Sequence, residues 1–463
     1  MDTSTNNTRF ANSGCVEAQT ANTPTAIQVI WSHCAANCGG RCALRFEVED
    51  GRAVGVGSCP ASAPDGTPLP QACVRGRRML AWAESPLRLK WPLKRTGPRG
   101  SGLYERITWD EAFDLLAEKV DYYKKTYGAE SILIMGGTGR EGGPMLPAYA
   151  HSAIGTPNDC YTQSGYSCYI PRVAGTTYVL GATYPEMDYA GGLPGRYDDP
   201  MFKLPELIVF WGKEPLPSNG DGLFGHAAID MMRRGSKLMS IDPRVNWVST
   251  RADWHLRLRP GTDAALGMAM LNVIISEDLY DHEFVEKWTY GFDQLRERVQ
   301  EYPPAKVAEI TWIPEEKIVE AARILANSKP CTMQWGVAVD MTKEALPASQ
   351  AIAACFQITG NVDVPGGIIA PPEILNYAGG WGRELCPEET WVKRIGLDAY
   401  PLLNFGFQIA QPDELRHTMA TGEPYKIHAT WLQQNNVLAC MGADPQRLYN
   451  ALNKLDFIVV VDL

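Results

Sequence analysis

The sequence predicts an α/β protein with a small β-rich domain at its N-terminus. Two observations support this fold class. Near the start of the chain, a short apolar segment and a segment of alternating apolar and polar residues precede a turn signal. After residue 92, apolar segments typical of buried strands alternate with segments typical of amphipathic helices. A chain of 463 residues is also long enough for about two to four domains.

The N-terminal region divides into a polar lead-in and a small β domain. Residues 1–26 are rich in Thr, Asn, Ser and Ala, so we expect a disordered segment. An apolar run at 27–31 and an alternating run at 44–49 precede the turn signal Asp50-Gly51. The pattern predicts a domain built around a hairpin over residues 27–92.

The remaining chain has the pattern of parallel-sheet proteins. Thr108 followed by Glu111 predicts a capping box at the start of a helix, and residues 131–135 are typical of a buried strand. A βαβ unit and similar elements follow. Strands are predicted at 207–211, 237–241, 332–335 and 457–461, and helices at about 222–234, 263–275, 315–326 and 347–358.

The last predicted strand, FIVVV at 457–461, is apolar throughout. Such a strand is expected at the centre of a parallel sheet, where a crossover normally follows it. We therefore expect that the chain is C-terminally truncated.

The composition argues against nucleic acid and the lipid bilayer as partners, and the N-terminal sequence bears on the location of the protein. The formal net charge of -10 argues against nucleic acid, which needs clustered cationic side chains. No apolar run approaches the roughly 18 residues that span a bilayer, so we expect no membrane insertion. No export signal is visible, which favours a cytoplasmic protein, or a periplasmic one if a signal has been removed.

Four cysteines form the strongest motif. Cys34, Cys38 and Cys42 follow one another at intervals of four, and Cys73 supplies a distant fourth thiol. Three clustered thiolates and a distant one suit a [4Fe–4S] cluster. A zinc site is the weaker alternative because its ligands usually come as two close pairs, and disulfides remain a third. Arg75 follows the last ligand and is a candidate to lie between cluster and cofactor.

Glycine-rich and acidic segments indicate nucleotide binding. Gly137-Thr-Gly139-Arg-Glu-Gly142 formally fits a dinucleotide motif, but no clean helix or acid-terminated strand follows, so we expect a loop lining a cofactor or substrate funnel. Better candidates for nucleotide binding lie at two strand ends and at a helix N-terminus, where carboxylates and free N–H groups can bind a nucleotide. These candidates are Trp211, Gly212, Lys213, Asp242, Pro243, Arg244, Gly261, Thr262 and Asp263.

A family resemblance emerges from the motifs WSHCAANCGGRC, CVRGRR, WPLKR, RITWDEAFDLLAE, IDPR and LRPGTDAALGMAMLNVIISEDLYDHEFVEKW. Together they resemble catalytic subunits of the dimethyl sulfoxide reductase family of molybdopterin oxidoreductases. The resemblance implies a [4Fe–4S] domain followed by two Rossmann-like α/β domains, over 93–150 plus 345–463 and over 151–344. It also implies that the C-terminal β-barrel domain of the family is missing.

The resemblance further implies two molybdopterin guanine dinucleotides that hold one Mo or W. In the family a side chain just before a V-A-G stretch completes the metal sphere, which in YSCYIPRVAG places Cys168 at that position. A thiolate suits such a metal. Cys160 and Ser164 are nearby alternatives. Membrane-anchored sulfoxide reductases have Ser there, whereas Cys resembles nitrate, polysulfide and thiosulfate reductases and acetylene hydratase.

The sequence leaves three functional hypotheses. The first is a reductase or dehydrogenase that moves an oxygen atom or hydroxyl group to or from a small substrate, with a ferredoxin-like iron–sulfur subunit, membrane-anchored in some relatives, as electron partner. The second is a non-redox hydratase using Glu141 or Asp159, although Gly39 stands where acetylene hydratase has its acid. The third is an inactive fragment.

Overall fold

The structure is a computed structural model of the chain. It describes residues 27–34, 42–62, 64, 69, 71–137, 145–160, 170–181, 185–188, 201–219, 223–369, 380–401, 409–440 and 444–463.

The N-terminal module is an antiparallel three-stranded sheet with two short helices. Strands β1 (Gln28–His33), β2 (Ala43–Glu49) and β3 (Arg52–Ser58) pair in this order. The hairpin between β2 and β3 turns at Asp50 and Gly51, both with positive φ, as the turn signal predicts. Helices α1 (Val74–Arg77) and α2 (Met79–Ala83) pack against β3.

The next elements lead into a parallel sheet. A β4–β5 hairpin (Leu93–Arg95, Tyr104–Arg106) precedes helix α3 (Trp109–Tyr127). Thr108 and Glu111 form the predicted capping box at the start of α3. Strand β6, helix α4, strand β7, helix α5 and strand β8 follow. Their bounds are Ile132–Gly136, Met145–Ala148, Asp159–Cys160, Ile170–Leu180 and Glu186–Met187.

The largest core surrounds a second parallel sheet, here called the β9 sheet. Its strands are β9 (Leu207–Trp211), β10 (Lys237–Ile241), β11 (Trp254–Leu256) and β12 (Cys331–Trp335), in the order β11-β10-β9-β12. The helices that follow β9 are, in chain order, α6 (Pro215–Asn219), α7 (Leu223–Arg233), α8 (Asp263–Ser276), α9 (His282–Trp288), α10 (Phe292–Arg298), α11 (Pro304–Thr311), α12 (Glu315–Asn327), α13 (Val337–Asp340) and α14 (Ala345–Ile358).

Both faces of the β9 sheet are covered by helices. Alternate side chains of β9, such as Val209, pack with α8, α11, α12 and α14, whereas Phe210 and its neighbours pack against α7. This two-sided burial explains why β9, with the sequence LIVFW, is apolar throughout.

The C-terminal elements include two strands of the sheet of β6, here called the β6 sheet, and one strand that pairs antiparallel with β8. They are β13 (Ile368–Ile369), α15 (Glu388–Trp391), α16 (Pro412–Thr421), β14 (Ala429–Gln433), α17 (Val437–Cys440), α18 (Pro445–Leu452) and β15 (Phe457–Val461). The parallel order is β15-β14-β6-β7.

The observed architecture confirms the predicted fold class, a small N-terminal β domain followed by α/β units with parallel sheets. Several contacts cross the predicted domain limits: β7 pairs with β6, β13 pairs with β8, and α14 packs against α5 and α8. The limits at 150/151 and 344/345 stay predictions.

Strand β15 lies beside β14 in the β6 sheet. Within the described residues β15 pairs with β14 alone and forms the edge of the β6 sheet, and Val460 is 61% exposed. The central position predicted from FIVVV therefore stays a prediction. Apolar sequence indicates a strand but does not determine how many neighbours that strand has.

Candidate active site

The N-terminal sheet brings two of the predicted cluster ligands together. Cys34 follows β1 and Cys42 precedes β2, and the Cys34 N–H donates a hydrogen bond of 2.8 Å to the Cys42 carbonyl. Both side chains are buried, at 5% and 8% exposure. Cys38, with Gly39 and Gly40, lies outside the described residues.

The fourth predicted ligand reaches the same region through α1. Cys73 is the N-cap of α1, and a Cβ placed on Gly76 would lie 3.4 Å from Cys34 Sγ. Gly76 thus allows α1 to approach the Cys34 thiol closely. Among the described residues no group of three or more His, Cys, Asp or Glu side chains is arranged to hold a metal ion, and no disulfide joins two described cysteines.

The environment of Cys73 favours a thiolate. Burial raises the pKa of the Cys73 thiol, but hydrogen bonds from the Arg75 backbone and side chain and from the Gly76 N–H, with the Arg75 charge, lower this pKa below its usual value. A thiolate is the form that binds iron. The chemistry of Cys34 and Cys42, which are buried, and of Cys73, which is half-buried, therefore fits an iron–sulfur cluster.

Arg75 connects the cysteine module to the β9 sheet. Its Nη2 donates a hydrogen bond of 2.6 Å to the carbonyl of Ser218 in α6. Helix α6 follows the loop that leaves the carboxyl end of β9. Arg75 therefore lies between the predicted cluster and the predicted nucleotide-binding edge, although its electron-transfer role stays a prediction.

The β9 sheet has a crevice where its strand order reverses. From β9 the chain proceeds outward through β10 and β11 and then returns to β12 on the other side of β9. Ligands of open α/β sheets bind at such switch points, outside the carboxyl ends of the strands. Here the Gly336 N–H donates to the Trp211 carbonyl at 3.0 Å, and a Cβ on Gly336 would collide with the Gly212 carbonyl. Lys213 follows directly and is half-buried.

Asp242 lies at the end of the neighbouring strand β10 and is buried. Its carboxylate accepts hydrogen bonds from the Arg244 N–H at 2.8 Å and from Asn246 Nδ2 at 3.1 Å, and Arg244 Nη2 lies 3.3 Å away. Both oxygens are thus engaged in shaping the turn through Pro243. A ligand that binds Asp242 must share or replace one of these bonds.

The predicted helix N-terminus lies beside the same crevice. Gly261, with φ +83°, turns the chain into α8, and Thr262 Oγ1 donates to the Arg259 carbonyl at 2.6 Å. Asp263 is 7% exposed and accepts a 2.8 Å hydrogen bond from Trp211 Nε1. Burial raises the pKa of Asp263, and the bond from Trp211 opposes this effect. Two predicted residues that are 52 positions apart therefore contact each other directly.

The β6 sheet contains a matching crevice that the sequence analysis missed. Its strand order reverses between β6 and β14, and the Gly137 N–H donates to the Gln433 carbonyl at 2.9 Å. A Cβ on Gly137 would collide with the Gln434 carbonyl. In the described part of the chain, Gln434 Oε1 and Asn435 Nδ2 are buried without a hydrogen-bond partner. Unsatisfied buried polar atoms at a switch point fit a polar ligand such as a nucleotide.

The signal for the second crevice was present in the sequence. The run ATWLQ followed by Gln434-Asn435 is an apolar strand with amides at its carboxyl end. Of the glycine-rich motif 137–142, only Gly137 lies within the described residues, and it lines this crevice.

Helix α5 is held to the β9 sheet by a buried ion pair. Asp340 accepts hydrogen bonds from the Arg172 backbone N–H at 3.0 Å and from Arg172 Nε at 2.6 Å, and Arg172 Nη1 donates to the Trp335 carbonyl at 3.0 Å. Burial raises the pKa of Asp340 to about 7 against the opposing effect of Arg172. The sequence analysis did not identify this pair. Cys168 and Ser164 lie outside the described residues.

Two carboxylates were candidates for hydration chemistry. Glu141 lies outside the described residues. Asp159 lies in β7 and is 2% exposed, and burial raises the pKa of its carboxyl to about 7. Its neighbour Cys160, the alternative metal ligand, belongs to the apolar core beside the β6 sheet.

The described part of the chain contains no helix that is both long and apolar enough to cross a bilayer. This finding concerns helices of the described residues alone.

The fold is of the class that binds nucleotides at the carboxyl edges of parallel sheets, with a cysteine-rich module attached. Residues 88–463 match the model of the molybdopterin oxidoreductase family, and residues 27–85 match its Fe4S4 domain. The chain therefore belongs to the molybdopterin oxidoreductase family. These matched domains indicate a molybdopterin cofactor with Mo or W and a [4Fe–4S] cluster.

Three relatives illustrate the range of the similarity. Acetylene hydratase of Syntrophotalea acetylenica is 31% identical, with 92% of this chain and 59% of that protein covered. Dimethyl sulfoxide reductase DmsA of Haemophilus influenzae is 32% identical over 76% of this chain and 46% of its own length. The solved structure of acetylene hydratase from Pelobacter acetylenicus has a TM-score of 0.80 at 29% identity, covering 92% of this chain and 60% of that one.

The chain thus spans about half to three-fifths of the length of these relatives. The similarity confirms the predicted family. The assignments of individual site residues stay predictions.

Proposed function

We propose that this chain is the catalytic part of a molybdenum or tungsten enzyme that moves an oxygen atom or hydroxyl group to or from a small substrate, in the manner of anaerobic respiratory reductases. When bound, the metal supplies two-electron oxygen chemistry and the cluster supplies one-electron transfer. An iron–sulfur subunit, with or without a membrane anchor, is the proposed electron partner.

The observation that carries the proposal is the likeness of the two crevices. Each lies where the strand order reverses, and each depends on a glycine, Gly336 or Gly137, whose Cβ would collide with a carbonyl of the opposing loop. Two such crevices suit two dinucleotides. The Arg75 contact with Ser218 joins the cysteine module to one of them.

The two crevices present different polar groups. In the β9 sheet, Asp263 lies buried in the first turn of α8 and already uses the positive end of the helix dipole. A carboxylate in this position repels a phosphate but accepts hydrogen bonds from N–H donors, so we assign Asp263 to the guanine base. In the β6 sheet, the Gln434 and Asn435 amides offer an acceptor and a donor to the second dinucleotide.

The cysteines divide between two roles in this proposal. Cys34, Cys38, Cys42 and Cys73 hold the cluster, and Cys168 supplies the thiolate of the metal. Asp340 accepts a hydrogen bond from the first turn of α5, which begins two residues after Cys168.

Elemental analysis of anaerobically purified protein tests the proposal. We expect about four Fe and about one Mo or W per chain, and oxidation of reduced viologen dye by an oxyanion or sulfur-compound substrate. A Cys73→Ser variant should lose iron, whereas a Cys59→Ser control should retain it. Iron without Mo or W in the parent chain would contradict the proposal, and zinc alone would contradict the cluster assignment.

A second candidate function is hydration without net redox change. The similarity to acetylene hydratase across 92% of the chain favours it, as does the carboxyl of Asp159, whose pKa of about 7 suits a general acid or base. Gly39 stands where that hydratase has its acid, so a different carboxyl must serve. Product formation from an alkyne without any dye would favour hydration, and strict dependence on reduced dye would favour the reductase.

A further inference from the structure

Two tryptophans end neighbouring strands at the carboxyl edge of the β9 sheet. Trp211 is the last residue of β9 and Trp335 is the last residue of β12, and the two are paired in the parallel register. Paired residues of neighbouring strands point to the same face of a sheet, and both rings belong to the largest core. The two indoles therefore share the edge at which the strand order reverses.

The two indole N–H groups differ in their hydrogen bonding. Trp211 Nε1 donates to Asp263 at 2.8 Å. Trp335 is 5% exposed, and its Nε1 is buried without an acceptor in the part of the chain that the structure describes. An indole nitrogen can only donate, and a buried donor without an acceptor lowers stability. Such a donor beside a ligand-binding crevice indicates that the ligand sphere supplies the acceptor.

The buried Arg172–Asp340 pair fixes Trp335 from the side of α5. Arg172 Nη1 donates to the Trp335 carbonyl at 3.0 Å, and the guanidinium carbon lies 5.4 Å from the centre of the Trp335 ring. Arg172 is itself held by Asp340 at 2.6 Å. These contacts restrict both the backbone and the ring of Trp335, so the direction of its N–H is fixed before any ligand binds.

The surroundings of Trp335 favour a sulfur acceptor over a nucleotide. Its ring lies against the first turn of α5, and Cys168, the predicted thiolate ligand, precedes the first residue of α5 by two positions. Two residues of chain span at most about 7 Å, so the predicted ligand belongs to a segment that begins at this edge. The acid that suits a guanine base, Asp263, is bonded to the other tryptophan, Trp211.

We propose that Trp335 Nε1 donates a hydrogen bond to a sulfur that ligates the metal and thereby raises the reduction potential of the metal. The inference rests on the proposed function, because it requires the metal at this crevice. A hydrogen bond to a sulfur ligand draws negative charge away from the metal, so it favours the reduced state. One electron enters the metal while the N–H bond stays intact, so no proton moves. The sulfur belongs to the Cys168 thiolate or to a dithiolene of the cofactor.

Magnetic resonance of the holoprotein tests this proposal directly. Protein with ¹⁵N in the indole nitrogens of its tryptophans is reduced anaerobically to the Mo(V) or W(V) state, and pulsed electron–nuclear double resonance is recorded. We expect a ¹⁵N coupling in the parent that is absent from Trp335→Phe. The coupling should persist in Trp254→Phe, which removes an N–H bonded to the exposed carboxylate of Glu320. A parent without any ¹⁵N coupling would overturn the proposal, whether or not the Trp335 variant folds.

A redox titration of the metal signal measures the size of the effect. Trp335→Phe keeps a buried ring but removes the donor, so the equilibrium constant for one-electron reduction should fall about tenfold, which corresponds to a potential about 59 mV lower. Trp211→Phe, whose donor binds Asp263 instead, should leave this constant within about twofold of the parent. A Trp335→Phe protein with the parental potential and less guanine nucleotide would assign the donor to the nucleotide and overturn the proposal.

A Cys168→Ala background identifies the sulfur. If the acceptor is the Cys168 thiolate, Trp335→Phe should no longer change the potential in that background, because the acceptor is gone. If the acceptor is a dithiolene sulfur, the effect of about tenfold should persist there. Either result supports a sulfur acceptor, provided that Trp335→Phe lowers the potential of the parent.

Dye-linked assays separate this inference from the proposed function. If reduced viologen supports turnover while the parent shows no ¹⁵N coupling, the role of Trp335 is wrong and the function stands. If the coupling and the change in potential appear without any turnover, the role of Trp335 stands and the reaction assignment fails.

Discussion

Asp340 caps helix α5 from another element and at the same time neutralises Arg172 within that helix. The two side chains are 0% and 3% exposed, and Asp340 Oδ2 lies 2.6 Å from Arg172 Nε. An isolated helix leaves its first N–H groups without partners, and here the carboxylate of α13 accepts one of them. The pair therefore joins the start of α5 to the edge of the β9 sheet.

Loss of the Asp340 charge should destabilise the protein strongly. Asp340→Asn keeps an oxygen for the Arg172 N–H but leaves the buried guanidinium without a counter-charge. We expect a loss of about 3–5 kcal/mol in the free energy of unfolding, measured by urea denaturation. The Arg172→Met/Asp340→Asn variant should recover much of this loss because it removes the unpaired charge. A double variant as unstable as Asp340→Asn would contradict this interpretation.

The Trp211–Asp263 hydrogen bond should affect cofactor retention. Trp211→Phe preserves the buried ring but removes the N–H that orients Asp263. We expect about 1–3 kcal/mol lower stability and less guanine nucleotide per chain after acid release. Trp254→Phe is the matched control, because it removes an exposed indole–carboxylate bond to Glu320. Equal nucleotide content in both variants would rule out a binding role for Asp263.

The glycine at the β9 crevice should not tolerate a side chain. Gly336 has φ -124°, which any residue adopts, so Gly336→Ala tests close packing alone. Its Cβ would press against the Gly212 carbonyl, and we expect a loss of about 1–3 kcal/mol together with lower dinucleotide content. Gly57→Ala, where the nearest atom would be 3.6 Å away, should change stability by less than about 0.5 kcal/mol. Unaltered nucleotide binding in Gly336→Ala would contradict the assignment of the crevice.

Asp159 should make stability depend on pH. Its pKa in the folded protein, about 7, is above the ordinary value of 3.8, so the folded state binds the proton more tightly than the unfolded state. The contribution of Asp159 to the free energy of unfolding is therefore fully present below pH 4, and this contribution is lost as the pH rises to about 7. Asp159→Asn should match the parent near pH 4 and exceed it by up to about 4 kcal/mol at pH 8.

Unfolding midpoints at pH 4, 6 and 8 measure this effect. Asp230→Asn, which removes a partly buried carboxyl, serves as the comparison. A stability difference between Asp159→Asn and the parent that does not change with pH would show that Asp159 does not titrate in this range.

Local patterns in the sequence determined the individual elements of this protein. The capping box at Thr108, the turn at Asp50-Gly51 and strand 207–211 depend on residues close in the chain, and each is found in the structure. The cysteine spacing likewise indicated the cluster module because three ligands of one cluster come from one loop. The match to the Fe4S4 domain model confirms the predicted [4Fe–4S] cofactor.

Only the tertiary structure decided which distant residues meet. The contacts of Trp211 with Asp263, of Arg172 with Asp340 and of Gly137 with Gln433 join segments 52, 168 and about 300 positions apart. No local pattern encodes these pairings, because they depend on strand order and on which strand ends share an edge.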